Sequence, residues 1–222
     1  MPTTPSVVLL GPAASGKSTL GELIAQELSV EFIDLDDVGD AYYDEVGWSI
    51  ARLIGRTEAV GRIAAEQEWE KARAHAVVRA MAEYPGTVVA LGAGHASYTQ
   101  ARYALQTANA LAPVEHVLYV EPCSDRERSL QILRERSILV KGTDWIRESH
   151  DFLAQWLDDP LSRKMATATL YTAGETPQQT ASRFIGSLRR QAGEPTEHHV
   201  AINAPAASTP WVPAADLRNE GC

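Results

Sequence analysis

The stretch VVLLGPAASGKSTLGELIAQEL, Val7 to Leu28, decides the fold. It opens on four apolar residues, two of them β-branched, a pattern that fits a strand buried on both faces of a parallel sheet. Leu20, Leu23, Ile24 and Leu28 then recur at helical spacing. Between strand and helix, Gly11-Pro12-Ala13-Ala14-Ser15-Gly16-Lys17-Ser18 fits G-x-x-x-x-G-K-[ST] at every position. Glycines in such a loop let successive backbone N–H groups converge on phosphate oxygens, and the dipole of the following helix favours the anion. The loop predicts a nucleoside triphosphate site made by Gly11, Ala13, Ala14, Ser15, Gly16, Lys17, Ser18 and Thr19. Lys17 is expected on the outer phosphates, and the Ser18 hydroxyl in the shell of a Mg²⁺ ion.

Working outward, VEFIDLDD (30–37) reads as a second strand ending in carboxylates and TVVALGAGH (87–95) as a third ending in glycines. VEHVLYVEP (114–122) reads as a fourth strand and ATLYTA (168–173) as a fifth, with helical stretches between, the longest over 62–84. This alternation predicts an α/β, three-layer P-loop NTPase fold: a central five-stranded parallel sheet, helices on both faces and right-handed crossovers. In TPQQT, Thr176 is a helix cap, Pro177 suits the first helical position and Gln179 completes a capping box for the last helix. The kinase-like domain is expected over 1–191. Residues 192–222, rich in Pro and Ala and without periodicity, read as a flexible tail on which Trp211 and Val212 are the candidates for docking.

Composition narrows the classes. The chain has 222 residues, 45% of them hydrophobic, enough for one substantial core. A net charge of −9 argues against a general nucleic-acid binder. The two cysteines, Cys123 and Cys222, form no metal-ligand spacing and suggest a reducing compartment. No stretch reads as a signal or a membrane span, so the expectation is a cytoplasmic monomer or homodimer without membrane or nucleic-acid partners.

A regulatory GTPase would carry a guanine-reading Asn-Lys-x-Asp segment, and this chain has none. A small kinase remains, using ATP and Mg²⁺ to phosphorylate a hydroxyl of a small-molecule acceptor beneath a mobile lid. Asp34 and Asp36 sit at the carboxyl edge of the second strand, where ligands collect in open α/β sheets. Read as extended chain, they point the same way: one for the metal shell, one to align or deprotonate the attacking hydroxyl. Gly92 and Gly94 allow close approach of a ligand to the backbone, and His95 is a candidate to touch substrate. RSLQILRERSILVKGTDW (128–145) passes from a helix into a lid expected at about 134–147, whose Arg134, Arg136 and Lys141 would offset charge in the transition state.

The arrangement resembles shikimate kinase, within the nucleoside-monophosphate-kinase-like group. The resemblance rests on GPAASGKSTLGELIAQEL, FIDLD, VGWSIARLI, VVALGAGHAS, the lid-like RSIL, and PLSRKMATATLYT followed by TPQQTASRFIGSL. It implies that Lys17 and Ser18 serve the phosphates and metal and that Asp34 lies near the metal. It places Asp36 near the acceptor hydroxyl, Gly92, Ala93 and Gly94 along the acceptor pocket, Arg136 in the lid and Arg128 near the adenine. Catalysis would rest on Lys17, Asp36 and Arg136. The departures concern the acceptor. The family grips its substrate carboxylate with two arginines, where this chain has Glu70 in QEWEKAR and Asp158 or Asp159 in WLDDPLSRK. Arg73 in turn falls where the family carries a glutamate, as though the pair had exchanged charges. Glu70 and Asp158 are therefore expected to face the acceptor together with Asp34, Asp36 and His95. Like-charge repulsion would then disfavour shikimate and favour an amine- or guanidine-bearing polyol or a hydroxylated amino acid derivative. A one-residue slip would instead present Lys71, and Arg56, Arg62 or Arg163 are alternative sources of an arginine. A divergent shikimate kinase and an ATP-binding regulatory protein remain as the other readings.

Overall fold

The computed structural model describes residues 2–191. Along the chain, β1 (Val7–Leu10) leads through the P-loop into α1 (Lys17–Leu28) and then β2 (Phe32–Asp34). Helices α2 (Leu35–Asp44), α3 (Ile50–Val60) and α4 (Arg62–Glu83) follow before β3 (Val88–Ala90). A short 3₁₀ turn, Ala93–Ala96, leads to α5 (Ala101–Leu111), β4 (His116–Glu121) and α6 (Arg126–Lys141). The hairpin β5 (Ile146–Arg147) and β6 (His150–Asp151), α7 (Phe152–Asp158), α8 (Pro160–Met165), β7 (Ala168–Tyr171) and α9 (Pro177–Gln191) complete the described chain.

The main sheet has five strands in the order β2-β3-β1-β4-β7, all parallel, with Val8 in register with Val89 on one side and Val117 on the other. The unbroken apolar run of β1 is explained by alternation within it. Val7 and Leu9 pack with Leu20 and Ile24 of α1 and Phe184 and Ile185 of α9. Val8 and Leu10 pack on the opposite face with Ala76, Val77 and Ala80 of α4 and Leu111 of α5. Both faces are buried, so the strand carries no polar position. A third cluster, built on Leu133, Phe152, Leu153, Trp156 and Leu157, fastens α6 to α7 beside the P-loop residue Ala13. Adjacent strands β1 and β3 send their following helices to opposite faces. That is the switch point at which a crevice opens at the carboxyl edge of such a sheet.

Several boundaries differ from the sequence expectation for local reasons. The second strand ends at Asp34, because its Oδ1 accepts the Asp36 backbone N–H at 3.0 Å and caps α2. Asp34 and Asp36 therefore do not share one face of an extended strand; Asp36 stands in the first helical turn. Where a lid is expected at about 134–147, α6 continues to Lys141 and the β5–β6 hairpin begins at Ile146. The capping box at α9 forms in both directions, Gln179 Oε1 accepting from the Thr176 N–H at 2.8 Å and Thr176 Oγ1 from the Gln179 N–H at 3.3 Å. Residues 192–222, with Trp211, Val212 and Cys222, lie outside the described residues; Cys123 is buried with a free thiol. Among the described residues no helix is long and apolar enough to cross a membrane.

Candidate active site

The loop between β1 and α1 folds around its own lysine. Lys17 is buried, and its ammonium donates to the carbonyls of Gly11 at 2.9 Å and Pro12 at 2.8 Å. Burial pushes its pKa down to about 8, with Asp36 and Asp34 opposing and Lys141 adding to the shift. Ser18, exposed on the rim of the loop, donates its hydroxyl to Asp34 Oδ2 at 2.5 Å. This hydroxyl–carboxylate pair is the hard oxygen donor set that Mg²⁺ prefers, and it stands beside backbone N–H groups suited to phosphate. From α6, half-buried Arg136 reaches across to donate to Thr172 Oγ1 at 3.3 Å, burial lowering its pKa. Arg136 and Lys141 thus bring positive charge to the P-loop wall of the same cavity.

That cavity, about 700 Å³, runs from the P-loop, Thr172 and Pro177 past Asp34 and Asp36 to a second end walled by α3, α4, Trp145 and Trp156. At this end α4 contributes Arg62, Glu66, Trp69 and Arg73, which recur at helical spacing on one stripe. The Glu66 carboxylate pairs with Arg62 and lies 3.8 Å from the Arg73 guanidinium. Arg73, buried against the faces of Trp69 and Tyr98, donates to the carbonyls of Gly94 at 2.5 Å and Glu66 at 3.2 Å. Trp145 and Trp156 meet edge to face at 5.1 Å on the opposite wall. The hairpin is tied to the start of α4 by Glu148, whose Oε1 accepts the Arg62 backbone N–H at 2.6 Å and so caps α4. Among the described residues, the indole N–H groups of Trp69 and Trp145 and the Arg73 Nε–H have no hydrogen-bond partner.

A P-loop, a hydroxyl–carboxylate pair beside it and an adjoining cavity fit a small-molecule kinase, and comparison with known proteins specifies which kind. The shikimate kinase family model matches residues 13–189. The chain belongs to the shikimate kinase family. It is an ATP-dependent small-molecule kinase of that family, transferring phosphate to a hydroxyl. Shikimate kinase of Vibrio cholerae is 28% identical over 183 residues, covering 82% of this chain and 94% of its own. That of Mannheimia succiniciproducens is 25% identical over 181 residues, covering 81% and 93%. Shikimate kinase from Acinetobacter baumannii, solved in complex with shikimate, shares the fold at a TM-score of 0.56 and 20% identity, covering 85% of this chain and 94% of its own.

Against this shikimate kinase frame, the residues singled out in the sequence separate into two groups. Ala13, Ala14, Ser15, Gly16, Lys17, Ser18, Thr19, Asp34, Asp36, Ala93, Gly94, His95 and Arg136 all line the cavity. Glu70 does not. It is buried behind the wall, where its carboxylate accepts from Thr99 N–H at 2.6 Å, Thr99 Oγ1 at 2.7 Å and Gln100 N–H at 3.0 Å, anchoring the entry to α5. Asp158 is on the surface, paired with Arg126, and Asp159 is the cap of α8. The expected charge reversal facing the acceptor is therefore corrected: both acidic replacements are occupied elsewhere. Arg128 is exposed and outside the cavity wall, Lys71 is exposed, Arg56 pairs with Glu68, and Arg163 pairs with Glu121. Gly92 lies behind Asp36 rather than on the wall. The side chains missed as a group are Glu66 and Trp69, with Arg62 and Arg73 beside them. Their i, i+4, i+7, i+11 spacing on α4 was the available signal.

Proposed function

We propose that the chain moves the γ-phosphate of ATP to a hydroxyl of an amine-bearing polyol, with ATP at the P-loop end of the cavity and the acceptor at the α4 end. Lys17 turns from its loop carbonyls to the outer phosphates, and Arg136 offsets charge on the transferred group. Ser18 and Asp34 would hold a magnesium ion, which when bound would supply charge neutralisation to the phosphates. Asp36 aligns the acceptor hydroxyl and takes its proton as the new O–P bond forms and the bond to the bridging oxygen breaks, releasing ADP.

The observation that carries the acceptor class is the state of the two guanidiniums at that end. Glu66 pairs with Arg62 and stands 3.8 Å from Arg73, and Arg73 also donates to two carbonyls, so a carboxylate would have to compete with Glu66 for both guanidiniums. Asp36 and Glu66, with the faces of Trp69, Trp145 and Trp156, support a hydroxylated molecule bearing a cation, which would share Glu66 with Arg62. Acceptor-dependent ADP release with streptamine, glucosamine, myo-inositol and shikimate tests this: the amine-bearing members are expected to turn over fastest, and preference for shikimate overturns the acceptor class. One observation favours that second reading, authentic shikimate phosphorylation. The buried Arg73 has an unpartnered Nε–H in the same cavity and is a ready single anchor for a carboxylate.

A further inference from the structure

His95 stands behind the carboxylate assigned to the acceptor hydroxyl, in an arrangement that the phosphate-transfer scheme does not by itself require. Its ring is buried at 1% exposure, and its Nε2 is 2.8 Å from the Tyr43 hydroxyl, the two rings lying nearly parallel. On the other side, among the described residues Nδ1 makes no hydrogen bond of good geometry, and it lies 3.7 Å from Asp36 Oδ1. Two glycines make room for this chain. A Cβ at Gly92 would sit 1.9 Å from Asp36 Oδ1 and 2.6 Å from His95 Nδ1, and one at Gly39 would sit 2.8 Å from the Tyr43 hydroxyl. Tyr43, His95 and Asp36 thus form one line from the core to the cavity.

The protonation of that line follows from its ends. Burial pushes the Tyr43 phenol up, so it stays protonated and able to donate. Around Nδ1 the facing groups are acceptors: the Asp36 carboxylate and the Gly92 carbonyl. A lone pair on Nδ1 would oppose both, whereas an N–H would serve either. Burial also holds the ring neutral, with its pKa down to about 4, so only one nitrogen carries a proton.

We infer that His95 is a positioning residue for Asp36: the Tyr43 hydroxyl donates to Nε2, fixing the Nδ1–H tautomer, and that N–H holds the Asp36 carboxylate oriented toward the acceptor hydroxyl. The present 3.7 Å separation closes to a hydrogen bond with a shift of about 0.8 Å, within the tightening that catalytic contacts undergo on substrate binding. The inference rests on the kinase reading of the site. It adds a residue that acts through another and makes no contact with the reacting atoms.

Two measurements test it. Long-range ¹H–¹⁵N NMR of the full chain reads the His95 tautomer without any acceptor. Nδ1–H is expected, with the Nδ1 shift moving in Asp36→Asn and the tautomer preference weakening in Tyr43→Phe. A ring protonated on Nε2 overturns the inference. Kinetics with the fastest of the four acceptors above then uses the side chains that mimic one ring nitrogen each. His95→Gln keeps the Tyr43 contact and is expected, like His95→Ala, to lower kcat about 10–10²-fold with the KM for ATP within about two-fold. His95→Asn keeps the Asp36 contact and is expected to restore most of that loss. Equal losses in all three variants, or losses that track melting temperature, assign His95 to packing alone. Turnover that survives in Lys17→Ala would instead remove the kinase site itself, which separates the two failures.

Discussion

Replacing Lys17 by alanine removes a cation held within reach of the phosphates and leaves the Gly11 and Pro12 carbonyls without their donor. Turnover should fall at least about 10²–10³-fold while the circular dichroism spectrum stays that of the folded chain. Glu70 makes the opposite prediction. Its carboxylate satisfies two backbone N–H groups and a hydroxyl at the start of α5, so Glu70→Ala should destabilise the protein by about 1–3 kcal/mol in urea unfolding. The KM for the acceptor should be unchanged, because the side chain does not reach the cavity. Glu70 and Arg73 also mark the limit of sequence reading at this scale. Three residues apart on one helix, both lie near the same face, and which of them meets ligand depends on how α4 rolls against α5. An exchange of charges was visible in the sequence; its consequence, that one member became a helix anchor and the other a buried cavity wall, required the packing.

At the scale of elements, the hairpin carries the main consequence. Its turn residues Glu148 and Ser149 have φ of +52° and +64°, values that two-residue turns usually assign to glycine or asparagine. Neither glycine nor asparagine occupies those two positions, so the hairpin was not legible in the sequence and the segment read as part of a lid. The conformation, costing about 1–2 kcal/mol per residue, is held in part by the Glu148 bond to the α4 N-terminus. Glu148→Ala should loosen residues 142–151, seen as faster amide hydrogen exchange there, and should raise acceptor-independent ATP hydrolysis as water gains entry. Elements with strong periodicity were legible: the sheet strands as apolar runs, α4 by its length and α9 by its capping box. The end of β2 was not, because an aspartate after Ile33 serves equally as a strand residue and as a helix cap.

For the whole molecule, two buried bases contribute to how stability responds to pH. His95 titrates at about 4 in the folded chain, mainly through burial, with Asp36 opposing and Arg73 reinforcing the shift. The unfolded chain takes up that proton first, near pH 6.5, so stability should fall as pH drops from about 6.5 to about 4, by up to about 1.4 kcal/mol per unit. Lys17 acts at the other end: with its folded pKa at about 8, below the unfolded 10.5, it penalises the fold fully below about 8 and progressively less up to 10.5. Thermal melts of wild type and His95→Asn between about pH 5 and 7 check the acid limb, which should be shallower in the variant. The single continuous chamber has a further implication for ligand design. On the proposed reading, phosphate donor and hydroxyl acceptor would lie side by side in this one cavity. A bisubstrate compound joining an adenosine polyphosphate to a polyol through a short tether would therefore occupy both ends at once. It should bind far more tightly than either half, since the second half arrives at an effective concentration set by the tether rather than by the solution.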